Sequence, residues 1–342
     1  MLARHLVRRL AQAVVVVLGV VVVSFLVARA VPGDAAVSAT GARASASELA
    51  AARERLGLDQ PLPVQLFRYL GDLVRGDLGT SLHTRQPVAA DLGSALPASL
   101  ELVGAAMLLA VLLGIPLGVL AARFRGGRAG GVDVSVRVGS VLAVSAPVFL
   151  LALVLQLVFA TRLGWFPTAG EYARSLDTTS PLSVWTDITV VDALITGNWA
   201  MVGSVLHHLV LPALALAAYP TGVIAQMTRA ALLEEAAQDH ARMERALGFG
   251  RLAVLVRFSL RAASAPVLQL VALVFAYALV NSFLVESIFN WPGLGSYTAT
   301  AISSVDTPAI AGVTLTVALV YVVLNLAVDL AQTALDPRVR LT

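Results

Sequence analysis

Few side chains in this sequence are arranged for covalent chemistry. His207 and His208 stand side by side, with Ser204 one turn before His208, a set that invites comparison with an intramembrane hydrolase. Neighbouring residues on a helix point about 100° apart, and no Asp or Glu lies four residues from either histidine. The pair therefore lacks metal-ligand geometry and an orienting carboxylate, and a structural or interface role suits it better. There is no Cys, hence no thiol nucleophile, disulfide or thiolate metal site. All 24 basic side chains are Arg, so the Lys that a phosphate-binding P-loop requires is absent. What remains is non-covalent chemistry. Tyr277, Asn281 and Glu286 lie in one apolar run, and Asn325 and Asp329 lie four apart in another. The densest charge is in "LLEEAAQDHARMERALGFG", Leu232 to Gly250.

The elements that must position these groups are membrane helices. Of the 342 residues, 58% are apolar and 13% charged, and the mean hydropathy is +0.83; soluble domains have about 45–50% apolar and about 25% charged residues. A span needs about 20 mostly apolar residues. Six runs qualify: 10–31, 102–122, 138–160, 209–227, 266–289 and 309–330. Val-rich runs of this length favour membrane helices over strands. The first run begins with "MLARHLVRR" and carries an A-x-A at Ala28 to Ala30, but it is longer than the apolar core of a cleaved leader. The expected fold class is an all-α membrane protein with six transmembrane helices. Its parts are a cytoplasmic end and first span (1–31), an extracytoplasmic subdomain (32–101) and a core (102–342) containing a cytoplasmic loop (228–265) and a C-terminal tail (331–342).

Arginine sets the orientation. With the N-terminus inside, the inner segments hold Arg4, Arg8 and Arg9; Arg123, Arg125, Arg128 and Arg137; six more from Arg229 to Arg261; and Arg338 and Arg340. The outer segments are longer and poorer in Arg, as the positive-inside rule expects. Both termini are thus expected in the cytoplasm. The pI near 9.7 accompanies a net charge of only +3, so the Arg residues read as orientation signals rather than as a nucleic-acid surface.

In the first outer loop, "SASELAAARERLGL" reads as a short helix capped by Ser45 or Ser47. "RYLGDLVRGDLGTSL" reads as an amphipathic helix, on the membrane surface or against the bundle. The second outer loop, Pro- and Thr-bearing, reads as irregular. Pro116, Pro147, Pro212 and Pro220 lie inside apolar runs, where each tends to kink a helix. No internal repeat is evident, which weighs against an ion-driven secondary transporter built from inverted repeats.

The inner loop between the fourth and fifth spans has a helical charge pattern, Glu235 and Asp239 being four apart. It is broken by "LGFG", where Gly248 and Gly250 can adopt positive φ, and "RLAVLVRFSLRAA" forms a second helix. Such a helix–glycine–helix can dock in a groove on a soluble partner and pass its movement into the attached spans. Its literal E-A-A, Glu235 to Ala237, is out of register with the glycine. Counting back six residues from Gly248 gives Arg242-Met243-Glu244-Arg245-Ala246-Leu247-Gly248. Seven residues are about two turns, which would put Glu235 and Arg242 on one helix face.

In this register the loop resembles the cytoplasmic motif of B-type permease subunits of ABC dipeptide and oligopeptide importers. "RHLVRRLAQAVVVVLGVVVVSFLVARAVPGD", "LPASLELVGAAMLLAVLLGIPLGVLAA", "LGWFPTAG", "VESIFNWPGLG" and "NLAVDLAQTALDPRVR" are similar to successive parts of that family, so the resemblance covers nearly the whole chain. Leu247, His240 and Ala263 depart from its usual residues, and the segment from Ser175 to Met201 is longer.

The resemblance implies a permease subunit in the bacterial cytoplasmic membrane, without an ATPase site of its own, forming half of a translocation pathway. Its implied partners are a second, C-type permease, ATPase subunits that bind ATP and Mg, an extracytoplasmic solute-binding protein and a peptide; no cofactor is implied for this chain. Asp239, Arg242, Glu244, Arg245, Ala246 and Gly248 would couple it to the ATPases. Tyr277, Asn281 and Glu286 are candidate path residues, Glu286 being alternatively a cap at the outer interface. Related permeases move nickel chelates, haem, glutathione or glycans, which are alternative substrates.

Overall fold

The computed structural model describes residues 2–30, 35–40, 44–126 and 130–335. Among them the chain is helical, with an isolated antiparallel bridge between Thr80 and Pro87 as its only β pairing. The helices run α1 (Leu2–Ala30), α2 (Ala35–Thr40), α3 (Ala46–Leu56), α4 (Leu62–Val74), α5 (Val88–Phe124), α6 (Gly130–Ser145) and α7 (Val148–Leu155). They continue through α8 (Leu176–Thr179), α9 (Thr189–Ile195), α10 (Trp199–Glu235), α11 (Asp239–Ala246), α12 (Arg251–Ala253), α13 (Leu260–Ala262), α14 (Ser264–Phe289), α15 (Leu294–Ser303) and α16 (Thr307–Leu335). Arg128, Arg338, Arg340 and the Pro-Gly-Asp at 32–34 lie outside the described residues.

Among the described residues, four helices are long and apolar enough to cross a membrane: α5, α10, most of α14 and the first 21 residues of α16. Within α1 the apolar helix is Val14–Leu26. The expected third span is not one straight helix. α6 and the helix Val148–Arg162 meet at a bend of 100° around Ala146 and Pro147, because Pro147 has no N–H to continue the ladder and its ring disfavours a helical residue before it. Pro212 and Pro220, by contrast, lie inside an unbroken α10, and Pro116 inside α5. The second outer loop is also more regular than expected, since it contains α8 and α9.

The chain divides into two compact units. Unit 1 is Met1–Pro97 with Pro292–Val323. Its α3 begins with a capping box. Ser45 Oγ accepts from the Glu48 amide at 3.3 Å, and the Glu48 carboxylate accepts from the Ser45 amide at 2.7 Å. That backbone bond holds the Glu48 carboxyl below its usual range. Gly57 ends α3 at φ 65°. Phe25 of α1 stacks on Tyr69 of α4 with ring centroids 5.9 Å apart. Asp306 caps α16 by accepting from the Ala309 amide (3.2 Å) and ties down the 81–83 turn through the Ser81 hydroxyl and the His83 amide. The core of this unit is Val88, Leu92, Ala95, Leu294 and Val313.

Unit 2 is Ala98–Trp291 with Leu324–Thr342. Small residues let its helices approach closely. A Cβ added at Gly118 would lie 2.6 Å from Thr228 Cβ and 2.7 Å from the Ala225 carbonyl, and one at Gly114 would lie 2.9 Å from Ile224. The G-x-x-x-G of "GIPLG" therefore packs α5 against α10, the contact that small residues make between membrane helices. Gly222 does the same against the Ser140 carbonyl of α6. Arg229 of α10 binds Asp133 of α6 in two-pronged fashion, at 2.6 and 2.9 Å.

Candidate functional site

The loop 228–265 of unit 2 is built around the end of α10. That helix has 37 residues, about 55 Å at 1.5 Å per residue, against about 30 Å of hydrocarbon. The helix is therefore longer than the layer is thick, and its last turn carries Glu234 and Glu235. Around that turn Val119, Ala122, Leu232, Leu255 and Ala263 form a buried cluster. Arg251 adds a cap, donating to the carbonyls of Ala122 (3.1 Å) and Arg125 (3.4 Å) at the end of α5.

α10 ends at Glu235, and α11 starts at Asp239 after a turn. The expectation that Glu235 and Arg242 share one helix face is thus overturned: they lie on two helices, and the literal E-A-A supplies the corner. Arg245 holds that corner. Its guanidinium donates to the Ala236 carbonyl at 2.7 Å and to the Ala241 carbonyl at 3.0 Å. It thereby satisfies an acceptor that the end of α10 leaves open. Ala241 is fully buried and seats α11.

The other end of α11 explains the register of the motif. The Phe249 amide donates to the Glu244 carbonyl (3.2 Å) and the Gly248 amide to the Arg245 carbonyl (3.0 Å). This is the paired closure that needs a left-handed residue just past the helix, and Gly248 has φ 91°. Gly250 has φ −66°, an ordinary value; the positive φ open to both glycines is used by Gly248 alone.

The expected coupling residues divide by exposure. Asp239 and Arg242 point outward and pair at 3.2 Å. Ala246 and Gly248 are exposed, whereas Arg245 bonds back to the chain and Glu244 keeps one buried carboxylate oxygen with no partner. The sequence reading omitted Met243 and Leu247, which are 62% and 69% exposed. Their spacing of four, in a short helix otherwise full of charge, was the signal available.

The three candidate path residues are not brought together. Tyr277 and Glu286 are nine residues apart in α14, which places them on opposite faces at about 100° per residue. Tyr277 is exposed and stacks on Tyr219 of α10 at 4.2 Å between centroids. Asn281, one turn on, donates to the Tyr277 carbonyl at 2.9 Å. Glu286 is fully buried and accepts from the hydroxyls of Ser99 (2.7 Å) and Ser282 (2.8 Å). Beyond it, the Trp291 amide donates to the Glu286 carbonyl, Asn290 takes a left-handed φ of 48°, and buried Trp291 gives its indole N–H to the Ala98 carbonyl at 2.8 Å. Glu286 thus helps anchor the C-terminal end of α14. Asn325 and Asp329 both fall on α16.

The histidines are used separately. His207 Nε2 bonds the Trp165 carbonyl and His208 Nδ1 the Ser204 carbonyl, both at 2.8 Å. Among the described residues no group of three or more His, Cys, Asp or Glu is placed to hold a metal ion. Also unforeseen is buried Glu101, which accepts from the Val190 amide at the start of α9 (3.4 Å).

Two family models match the chain. The binding-protein-dependent transport system inner membrane component covers residues 114–341, and the N-terminal model of the same membrane component covers residues 1–103. The probable D,D-dipeptide transport system permease protein DdpB of Escherichia coli (strain K12) is 39% identical over 95% of this chain and 94% of its own. The dipeptide transport system permease protein DppB of Alkalihalophilus pseudofirmus is 36% identical over 97% and 98%. The glutathione transport system permease protein GsiC of Salmonella paratyphi A is 32% identical over 98% of each chain. The helices that carry the exposed loop helix α11 and the Tyr219–Tyr277 pair therefore belong to a multi-pass membrane permease, a member of the family of inner membrane components of binding-protein-dependent transport systems.

Proposed function

We propose that this chain is one of two permease subunits of an ATP-driven importer of short peptides, and that α11 is the element an ATPase subunit moves. The observation that carries the reading is the seating of α11: it is fixed to the end of a 37-residue helix by Arg245 and Ala241, yet presents Met243 and Leu247 outward. Two apolar side chains at a spacing of four, flanked by Asp239 and Arg242, suit a groove with an apolar floor and a polar rim. ATP and Mg belong to the ATPase subunits, whose closure pushes α11 and thereby α10. Gly248 supplies the turn, and Asp239, Arg242 and Glu244 make the polar contacts.

The same reading puts both termini in the cytoplasm and residues 32–97, 161–208 and 290–308 outside, where a solute-binding protein delivers the peptide. A second, C-type permease completes the path. Tyr277 and Asn281, on the exposed face of α14, are the residues proposed to meet the peptide; Glu286 holds that helix in place.

The chain has no native Cys, which makes cross-linking clean. Met243→Cys and Leu247→Cys variants, assembled with the ATPase subunits, are expected to cross-link to an ATPase cysteine in a nucleotide-dependent way, while Thr189→Cys is not. Absence of any cross-link from both loop positions, with uptake and coupled ATPase activity intact in Glu244→Arg, would reject the docking role.

A further inference from the structure

Glu101 and Glu171 are two acids that come together from different parts of unit 2. Glu101 lies on α5 and is 6% exposed. Glu171 lies in the stretch 163–198, which leads from the helix ending at Arg162 to α10. Both acids reach the start of α9. Glu101 Oε2 accepts from the Val190 amide at 3.4 Å, and the Glu171 carboxyl accepts from the side chain of Thr189, the residue before it. Carboxyl groups that bond adjacent residues are near neighbours, and the charge of Glu171 acts on Glu101.

Each carboxyl has one oxygen that bonds nothing. Oε1 of Glu101 and Oε1 of Glu171 are both shut off from solvent and have no partner. Buried polar atoms in folded proteins are almost always bonded, and a bare carboxylate oxygen in the interior is especially costly. Neither oxygen can be touched by a water, so the missing partner is neither a water nor a larger ligand. Among the described residues no group of three or more His, Cys, Asp or Glu is placed to hold a metal ion. A proton needs no room of its own. A protonated carboxyl has one O–H to donate and an ionised one only accepts, so a single proton between the two Oε1 atoms satisfies both.

The surroundings favour that proton. The charges bearing on Glu101 are those of Glu171 and Asp192, both acidic. Asp192, on α9, is 1% exposed and committed to the amides of Trp185 (3.1 Å) and Thr186 (2.9 Å) and to the Thr186 hydroxyl (2.8 Å). Asp177 of α8 and Arg174 act on Tyr172, beside Glu171. From α10, Ser204 Oγ accepts from the Ala173 amide at 2.9 Å, and His208 bonds back to the Ser204 carbonyl. Burial pushes the Glu171 carboxyl up, as it does wherever a charge loses its water.

We propose that Glu101 and Glu171 share one proton, and that this O–H···O bond is a latch that holds the stretch 163–198 on α5 and opens as pH rises. The closed latch is a charge-assisted bond. When the proton passes to water, both carboxyls are negative. Glu171 and Asp192 belong to the stretch and Glu101 to α5, so the repulsion acts between those two bodies. The stretch itself stays folded, tied by Asp192 and by the bond from Asn198 Nδ2 to the Ser180 carbonyl (3.0 Å). It also stays on α10, where Ala193 packs with Met201, Val202 and Val205. Only its hold on α5 is lost. The latch goes beyond the reading of the chain as a peptide permease; that it answers to external pH rests on that reading, which puts 161–208 outside.

The full chain in nanodiscs tests the shared proton and the latch without reference to transport. In infrared difference spectra at about pH 6, Glu101→Gln and Glu171→Gln are each expected to remove the same protonated-carboxyl C=O band, because a glutamine N–H replaces the proton and leaves the other acid ionised. Both variants keep the shape and the acceptor of the acid they replace, so the fold is retained. For the latch, Leu108→Cys on α5 and Ile195→Cys on α9, at sites 60% and 64% exposed, carry spin labels in a chain with no other Cys. The distance between them, read by double electron–electron resonance, is expected to lengthen and broaden from about pH 5.5 to about pH 8.5. With Glu171→Gln added it is expected to stay at the short value at both. A band lost in one variant only, or in neither, assigns the proton to a single acid or to none and overturns the sharing. A distance that does not change with pH, or a change that survives Glu171→Gln, overturns the latch.

Discussion

Substitution of the two loop glycines separates a conformational requirement from mere smallness. Nothing lies within 4 Å of a Cβ built at Gly248, so Gly248→Ala meets no steric neighbour and its cost is that of the backbone. At φ 91° an L-residue costs about 1–2 kcal/mol, offset in part by about 0.4–1 kcal/mol from stiffening the unordered chain. The net is about 1 kcal/mol, roughly a fivefold fall in the ratio of ordered to disordered turn. Gly248→Pro cannot reach that φ and loses the N–H that bonds the Arg245 carbonyl. Its cost is about 3 kcal/mol or more, roughly a hundredfold. Gly250→Ala, at φ −66°, is expected to be neutral or slightly stabilising. In proteoliposomes containing the ATPase subunits and binding protein, peptide uptake and peptide-stimulated ATPase activity should fall in the order Gly250→Ala, Gly248→Ala, Gly248→Pro, with the first near wild type. Exchange of the Phe249 amide, which bonds the Glu244 carbonyl, should quicken in the same order. If Gly250→Ala impairs coupling as much as Gly248→Ala, or Gly248→Ala speeds exchange without touching coupling, the turn is not what transmits the movement.

Four further outcomes follow from the packing and the charges. Arg229→Met leaves Asp133 buried without its partner and is expected to cost about 3 kcal/mol in detergent unfolding, while the double variant Arg229→Met/Asp133→Leu recovers most of it. Gly118→Ala, pressed on the Ala225 carbonyl and Thr228, is expected to lose about 1–3 kcal/mol, whereas Gly139→Ala, with open space around it, is not; equal thermal shifts would deny the close α5–α10 contact. Tyr277→Ala should change which peptides compete for uptake, and Glu286→Gln should keep that pattern while lowering thermal stability; the reverse result would put Glu286 on the path. Burial pushes the Glu171 carboxyl up, against an opposing hydrogen bond from Thr189, so its contribution to stability is largest below the ordinary value of 4.5 and is lost as pH rises through the raised folded value. Glu171→Gln should therefore raise the melting temperature at about pH 8 and flatten its pH dependence; a lowered melting temperature at that pH contradicts the assignment.

Local signals were legible in the sequence wherever one residue type decides a backbone geometry. Ser45 and Glu48 mark the start of α3, and Gly248 marks the end of α11 because the closing pair of hydrogen bonds needs a left-handed residue. Hydropathy located the helices but not their ends: the run 102–122 belongs to a helix beginning at Val88, since propensity continues where hydropathy stops. Four prolines in apolar runs looked alike in the sequence. Pro147 alone sits at a bend; the surroundings of Pro212 and Pro220 keep α10 continuous. Tyr277 and Glu286 read as one polar group from composition, although nine residues of helix set them on opposite faces. Partners far apart in sequence were not legible: Ser99 with Glu286, Arg229 with Asp133, Val190 with Glu101. They depend on which helices meet, which is set by small residues whose significance appears only against their neighbours.

Those small residues bear on how a push at α11 could reach the membrane. Along α5 the buried residues include Ala106, Ala110, Ala121 and Ala122 beside Leu102, Val103, Met107 and Val119, whereas Leu108, Leu112, Leu113 and Leu120 are exposed. A water-soluble helix would not leave four leucines outward while burying four alanines. With lipid as the outer solvent, burying Leu offers no hydrophobic gain, and helices associate through close contact of backbones. Contacts of this kind, such as Gly118 on Thr228 and Gly222 on the Ser140 carbonyl, have no long side chains to bend. Together with the two-pronged Arg229–Asp133 bond they make α5, α6 and α10 resist sliding past one another. Displacement of α11 through Arg245 is then carried by α10 as a body rather than absorbed locally, and packed elements of this kind switch between discrete arrangements. A flexible loop with the same charges would dissipate the push, so Gly118→Ala, by loosening α10, should weaken coupling even though it lies on neither the loop nor the path. If Gly118→Ala destabilises the chain but leaves uptake per ATP unchanged, rigid transmission through α10 is wrong.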